Sequence, residues 1–155
     1  MKILVLNGPN LNFLGIREKS IYGNMDYNEL VGYIKSESER ILDDISIEVK
    51  QSNSEGIIID ILQQAYYEEI DGIVINPGAY THYSYAIFDA IKSIQIPTIE
   101  VHISNIHERE EFRKISVISP ACVYQIYGKG AQGYVEAISY LVNYLKQEEN
   151  ETLRG

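Results

Sequence analysis

The stretch that decides the fold is IVINPGAYTHYSYAIFDAIKSIQIPTIEV, residues 73–101. It opens with the apolar run Ile73–Ile75 and closes with a second run, Thr98–Val101. Unbroken apolar runs bounded by turn residues are typical of strands buried on both faces. The segment between them, Tyr85–Ile94, has a helical pattern. The stretch therefore predicts a strand, a helix and a second strand parallel to the first.

The same alternation continues towards both ends of the chain. Further strands are predicted at Ile3–Leu6 and Val123–Tyr127, and Ile45–Val49 alternates in the way that suits an edge strand. Capping patterns at Asp26–Glu29 and Ser52–Glu55 predict the starts of two helices, and Tyr134–Lys146 predicts the last helix. We therefore predict an α/β fold: a flavodoxin-like three-layer sandwich with a five-stranded parallel sheet in the order 2-1-3-4-5. Residues 1–148 are expected to form a single catalytic domain, followed by a polar tail at 149–155.

Composition excludes several classes of function. The formal net charge is −9, which argues against nonspecific binding to nucleic acid or to anionic membranes. Cys122 is the only cysteine, so neither an intrachain disulfide nor a cysteine-based zinc site is expected. The chain enters a core strand without a signal peptide, and no apolar stretch approaches the roughly 18 residues of a membrane span. We therefore expect a cytoplasmic protein.

The loop after the first strand is unusually long. Strand-to-helix loops usually have about 2–6 residues, yet NGPNLNFLGIREKSIYG occupies positions 7–23 and contains Asn10, Arg17 and Tyr22. In this fold class, ligands bind beyond the carboxyl ends of the strands. The strands at 73–75 and 98–101 end at Asn76 and His102. Polar groups from three strands are therefore predicted to converge on one cleft.

Two features favour acid–base chemistry there. Glu100 and His102 share one face of a strand, so the carboxylate can orient the imidazole. Tyr22 follows Arg17 by five residues. Because tyrosine titrates near about pH 10, a base at this position would need a nearby guanidinium to stabilise its phenolate.

Three other motifs have competing interpretations. GKGAQG at Gly128–Gly133 matches G-x-G-x-x-G, but it follows the last strand, which favours a tight turn with close helix packing over a dinucleotide site. His102 and His107 would suit a metal, but they lack a compact ligand spacing. Arg109 and Arg113 can point the same way, although such a charged segment is typical of a solvated helical face.

Two other functions remain open on these features. A flavodoxin-like hydrolase or transferase would use His102 and Glu100, but no G-x-S-x-G nucleophile motif is present. A noncatalytic module for a flavin or another small molecule would use Gly128–Gly133 and the tyrosines.

Taken together, LNGPNLNFLGIRE–IYG, NPGAYTH, EVHISNIHEREEFR and GKGAQGY resemble the type II 3-dehydroquinate dehydratases, or type II dehydroquinases, over nearly the whole chain. The resemblance implies the loss of water from 3-dehydroquinate to give 3-dehydroshikimate, through an enolate and by anti elimination. It also implies a role in the shikimate route to aromatic compounds. It implies no metal, no Schiff base and no cofactor.

The resemblance implies roles for five catalytic residues. Tyr22 would remove the proton beside the ketone, and Arg17 would favour its phenolate form and help to close the loop as a lid. Asn10 would orient a water molecule at the enolate oxygen. His102 would protonate the departing hydroxyl, with Glu100 orienting the ring.

It also implies a set of substrate contacts. Asn76, His82 and Arg113 would hold substrate hydroxyls. The backbone amides of Ile103 and Ser104 would hold the substrate carboxylate.

Finally, the resemblance implies a homododecamer built from four trimers, in which Asp89 would reach the site of a neighbouring subunit. The chain departs from the family pattern at Lys19 in the long loop. It also departs at Tyr83, Tyr85 and Phe88, where smaller or more polar residues are expected. These departures bear on the stiffness of the loop and on a subunit contact.

Overall fold

The predicted alternation of strands and helices is present in the computed structural model, which describes residues 1–155. The strands are β1 (Lys2–Asn7), β2 (Ser46–Gln51), β3 (Gly72–Asn76), β4 (Thr98–His102) and β5 (Tyr124–Tyr127). The helices are α1 (Lys19–Tyr22), α2 (Tyr27–Ile41), α3 (Glu55–Tyr67), α4 (Tyr85–Ile94) and α5 (Gln132–Arg154).

All five strands are parallel and lie in the order β2-β1-β3-β4-β5, which confirms the predicted topology. Side chains alternate between the two faces of the sheet. Ile3 and Val5 of β1 pack with the buried residues of α2 and α5, whereas Leu4 and Leu6 pack with those of α3 and α4. The three-layer arrangement therefore follows from a strand that is apolar on both sides.

The edges of the sheet match the prediction only in part. β2 lies at one edge, as its alternating pattern indicates. β5 lies at the other edge, and Tyr124 and Tyr127 are 51% and 39% exposed. The apolar run Val123–Tyr127 was expected to be buried on both faces, and that expectation is wrong. Tyrosine can keep its polar hydroxyl in water while its ring packs.

Helix boundaries differ from the predicted ones in three places. Asp26 caps α2 by accepting a hydrogen bond from the Glu29 amide at 2.8 Å, as predicted. The cap of α3, however, is Ser54 rather than Ser52: Ser54 accepts from the Ile57 amide, while Ser52 accepts from the Ser54 amide. The last helix extends beyond the predicted segment at both ends, and residues 149–154 of the polar tail continue it as exposed helix.

The charged segment between β4 and β5 is not an α-helix. It forms two short 3₁₀ turns, Ile106–Glu108 and Glu111–Arg113. The alternative interpretation of this segment as a solvated helical face is therefore wrong. Both side chains turn towards the ends of the strands instead.

The long loop after β1 contains a 3₁₀ turn, Leu11–Phe13, and the short helix α1. Its first residues pack directly on the loop after β3: the Gly8 amide donates to the Asn76 carbonyl at 2.7 Å. A Cβ atom at Gly8 would lie 2.7 Å from the Pro77 carbonyl oxygen, so only glycine allows this approach. None of the helices combines the length and apolar character needed to cross a membrane.

Candidate active site

A small cavity lies at the carboxyl ends of β1, β3 and β4, where the sequence predicts a cleft. Its volume is about 40 Å³. Eight of the eleven residues proposed for the site line it: Arg17, Tyr22, Asn76, His82, His102, Ile103, Ser104 and Arg113. A wider surface groove, about 730 Å³, lies elsewhere, between Met1 and the end of α5. That groove has no histidine, tyrosine or arginine in its lining, so the smaller cavity is the chemical candidate.

Two guanidinium groups contact Tyr22. Arg109 donates from Nη1 to the Tyr22 hydroxyl at 2.7 Å, and Arg17 stacks over the tyrosine ring with Cζ 3.9 Å from the centroid. The contact with the hydroxyl thus comes from Arg109 rather than from Arg17. Arg109 is the main residue of the cavity missing from the sequence-based set, although its spacing of four from Arg113 was a usable signal.

His102 and Glu100 form a buried pair at the end of β4. His102 is 5% exposed, Glu100 is fully buried, and Nε2 of the imidazole lies 2.5 Å from Oε2 of the carboxylate. Because Nε2 is occupied by Glu100, Nδ1 is the ring nitrogen left for a ligand. Glu100 itself does not line the cavity, which agrees with its expected role behind the imidazole.

Three further donors hold Glu100. Thr81 and Gln125 donate to Oε2, each at 2.8 Å, and Ser116 donates to Oε1 at 2.7 Å. Burial by itself would raise the pKa of Glu100, but the hydrogen bonds from His102, Gln125 and Ser116 outweigh it and lower the pKa. The carboxylate therefore stays ionised beside the imidazole. The sequence carries no local signal for Ser116 or Gln125, which come from later segments of the chain.

His82 and Asn76 present defined polar atoms to the cavity. Nδ1 of His82 lies 2.8 Å from the Ile115 carbonyl, so Nδ1 carries the proton and Nε2 is left as an acceptor. Burial lowers the pKa of His82, against the effect of that hydrogen bond, and this favours the neutral ring. Asn76 accepts from the Gly78 amide at 3.1 Å and donates from Nδ2 to the hydroxyl of Tyr134 at 2.9 Å.

The backbone after β4 offers free donors. Ile103 and Ser104 line the cavity, and their backbone N–H groups donate to no other atom of the chain. Arg113 is 25% exposed, and its Nε lies 2.8 Å from Oε2 of Glu110. An anion in the cavity would therefore meet neutral donors and an arginine together.

Besides Glu100, two of the proposed residues lie outside the cavity, Asn10 and Asp89. Asn10 is exposed and adopts a left-handed backbone conformation (φ 70°), and its backbone N–H donates to Oδ1 of Asn53 at 3.0 Å. Asp89 is exposed on α4. Neither side chain reaches the cavity in this structure.

The competing motifs are accounted for structurally. His107 packs edge-on against Tyr127, with 4.6 Å between ring centroids, and no group of three or more His, Cys, Asp or Glu side chains is placed to hold a metal ion. Gly128 and Gly130 have φ of 76° and 58°, and a Cβ atom at Gly133 would lie 3.2 Å from Val101. The glycine motif is thus a turn with close helix packing, as predicted.

Burial raises the pKa of the Cys122 thiol, which favours its uncharged form.

Comparisons with known proteins agree with this geometry. The sequence model described as "Dehydroquinase class II" matches residues 1–142. A 3-dehydroquinate dehydratase of Clostridium acetobutylicum is 63% identical over 147 residues, which cover 95% of this chain and 100% of that protein. Another, from Clostridium perfringens, is 56% identical over 148 residues, or 96% of this chain and 100% of that one. The crystal structure of a type II dehydroquinase from Butyrivibrio crossotus superimposes with a TM-score of 0.89 at 61% identity, covering 92% of this chain and 97% of that chain.

Proposed function

The chain belongs to the class II dehydroquinase family, and from this we infer that it is a 3-dehydroquinate dehydratase, a hydro-lyase that converts 3-dehydroquinate to 3-dehydroshikimate. The observation that carries the assignment of roles is that Tyr22 and His102 line the same cavity. We prefer this activity to the hydrolase and flavin-binding alternatives. The reaction is a step of the shikimate route to aromatic compounds.

The substrate is an anion, and the cavity suits one. Arg17, Arg109 and Arg113 line it although the chain as a whole carries a net charge of −9. The free amides of Ile103 and Ser104 hold the substrate carboxylate, since two convergent N–H groups match its two oxygens. The arginines add a local positive potential that draws an anion into the cleft.

Proton removal falls to Tyr22. Its oxygen takes the proton from the carbon beside the ketone, and the electrons of the C–H bond form the enolate. The positive charge of Arg109 at the hydroxyl, with Arg17 over the ring, stabilises the negatively charged phenolate oxygen. The enolate oxygen needs prearranged donors of its own, and we assign that task to a water molecule oriented by Asn10 in the substrate complex.

Loss of water is completed by His102. The enolate collapses, the C–O bond breaks, and the hydroxide leaves with a proton from Nδ1 of the imidazolium. Glu100 holds Nε2 and stabilises the charged ring before transfer. Tyr22 then carries one proton more and His102 one fewer, so a proton returns from the phenol to the imidazole through solvent before the next turnover.

His82, Asn76 and Arg113 hold the substrate hydroxyls. Nε2 of His82 accepts, since Nδ1 is used by Ile115. These contacts fix the ring so that the base and the acid act on opposite faces. The cavity of about 40 Å³ is far smaller than the roughly 300–1,000 Å³ of ordinary ligand pockets. The long loop therefore has to open for substrate to enter, as expected of a lid.

We further propose a cytoplasmic homododecamer of four trimers, with residues 1–148 as the catalytic unit. Support comes from the exposed surface next to the site: Tyr83 and Tyr85 are 59% and 70% exposed at the start of α4, and Asp89 lies on the same helix. An exposed aromatic pair of this kind is typical of a contact surface. Within such an assembly Asp89 reaches the site of a neighbouring subunit.

The direct test is an ultraviolet assay for the conjugated enone product. Purified protein incubated with 3-dehydroquinate should produce a rise in enone absorbance, and a Tyr22→Phe variant should not. No rise with the native chain would overturn the proposed reaction. A yellow protein with a flavin spectrum would instead favour the ligand-binding module.

A further inference from the structure

Three buried polar side chains form a continuous chain beneath the active-site cavity. The hydroxyl of Tyr134 donates to Oδ1 of Asn7 at 2.6 Å and accepts from Nδ2 of Asn76 at 2.9 Å. Asn7 and Tyr134 are fully buried, and Asn76 is 3% exposed. Only Asn76 of the three lines the cavity.

The backbone brings these groups together. Asn7 and Asn76 are the last residues of β1 and β3, and they are partners in the register of these neighbouring strands. Tyr134 comes from the first turns of α5, on the face of the sheet that α5 covers. Gly133 permits this depth, because a Cβ atom there would lie 3.2 Å from Cγ2 of Val101.

The Gly78 amide and the Tyr134 hydroxyl together determine which way round the Asn76 amide lies. Tyr134 has one hydroxyl proton, and Asn7 Oδ1 receives it, so the oxygen of Tyr134 faces Asn76 as an acceptor. Asn76 must then present its NH₂ group to Tyr134, and its oxygen accepts from the Gly78 amide. The reversed amide would set two acceptors against each other at Tyr134 and two donors against each other at Gly78.

This arrangement leaves one N–H of Asn76 for the cavity. Nδ2 has two protons, and Tyr134 uses only one of them. Burial raises the pKa of Tyr134, so its hydroxyl stays neutral and keeps the same role across the working pH range. The donor that meets the substrate is thus held from two sides, by the Gly78 amide at the Asn76 oxygen and by the Tyr134 hydroxyl at Nδ2.

We propose that Tyr134 is a positioning residue: held by Asn7, it accepts one N–H of Asn76 and, together with the Gly78 amide, keeps the second N–H directed at a substrate hydroxyl. The proposal deepens the dehydratase function and rests on it. Tyr134 touches neither the substrate nor the reacting atoms, and it acts only through Asn76.

The test is Tyr134→Phe, with Tyr33→Phe as the matched control. The hydroxyl of Tyr33 likewise donates a side-chain hydrogen bond, to Oε1 of Gln132 at 2.7 Å, but it lies outside the site. We expect Tyr134→Phe to raise KM for 3-dehydroquinate about tenfold, equivalent to about 1.4 kcal/mol, with kcat changed far less. The control should leave both constants unchanged, and equal KM values for the two variants would overturn the proposal.

A double-mutant cycle separates positioning from general loss of packing. In an Asn76→Ala background, Tyr134→Phe should cause no further rise in KM, because its effect passes through Asn76. An undiminished rise there would show a merely structural role. If Tyr134→Phe does not fold, Asn7→Ala carries the test: it frees the hydroxyl proton of Tyr134, and a KM rise that vanishes in the same background is expected.

One measurement does not depend on the reaction. Exchange of the Asn76 side-chain amide protons, followed by NMR in the ligand-free protein, should be slow in the native chain and fast in Tyr134→Phe. Equal exchange would overturn the positioning role even if the enzyme is active. A native chain that shows slow exchange but no dehydration would instead contradict the proposed function alone.

Discussion

The contact between Arg109 and Tyr22 leads to the sharpest prediction for turnover. Nη1 of Arg109 lies 2.7 Å from the hydroxyl of Tyr22, and the arginine side chain is 16% exposed. We consider Arg109→Met, which keeps much of the apolar stem and removes the charge. Arg109→Lys keeps the charge but loses the planar donor geometry.

The expected size follows from Coulomb's law. A guanidinium and a phenolate about 4 Å apart attract by about 4 kcal/mol at an effective dielectric constant of about 20. Arg17 remains over the ring of Tyr22, and water enters the space left by the missing side chain. We therefore expect about half of this to be lost, or about 2 kcal/mol, which lowers kcat/KM about 30-fold.

The assay is the initial rate of enone formation at several substrate concentrations, with circular dichroism as a check of folding. Arg40→Met is the control, because Arg40 is 76% exposed on α2 and pairs only with Glu37. Arg109→Lys should fall between the native chain and Arg109→Met. Rates within twofold of the native chain for a folded Arg109→Met would refute the assignment of Arg109 to the phenolate.

Further measurements test the remaining assignments. Tyr22→Phe and His102→Ala should each lower turnover at least about 100-fold, the usual scale for one acid–base partner; near-native turnover in a folded variant removes that residue from its role. Glu100→Gln should lower the free energy of unfolding by about 2 kcal/mol at neutral pH, because the charged hydrogen bonds are lost. Since folding lowers the pKa of Glu100 from its ordinary 4.5, the stability it provides is present above that value and is lost as the pH falls below it. Denaturant titrations should accordingly show a shallower acid decline for Glu100→Gln than for the native chain, and parallel curves would contradict this. Chelators should leave activity unchanged, and a loss that added metal restores would revive a metal role for His102. Sedimentation should give a dodecamer, whereas an active monomer would leave Asp89 without its proposed contact.

Most of the architecture could be predicted from the chain because it depends on local periodicity. Apolar runs such as Ile73–Ile75, separated by helical patterns, lead to parallel strands with helices on both faces. Errors occurred where neighbouring residues offer equivalent chemistry: Ser52 and Ser54 can both cap α3, and only the final backbone geometry selects Ser54. The segment with Arg109 left two interpretations open because its charge pattern suits a surface helix, whereas the chain turns there to cover the cavity.

The site divides in the same way. The sequence predicts the position of the site at the carboxyl ends of the strands, because parallel strands end together. It also predicts the histidine–carboxylate pair, because residues 100 and 102 share a face of one strand. The partners of those residues were not predicted: Arg109 meets Tyr22 across 87 positions, and Gln125 reaches Glu100 across 25. Strand order depends on short-range patterns, but a hydrogen bond depends on where two distant side chains finally lie. Only the packed chain decides that Glu100 stays ionised, that Arg109 rather than Arg17 meets the tyrosine hydroxyl, and that Asn76 donates to Tyr134.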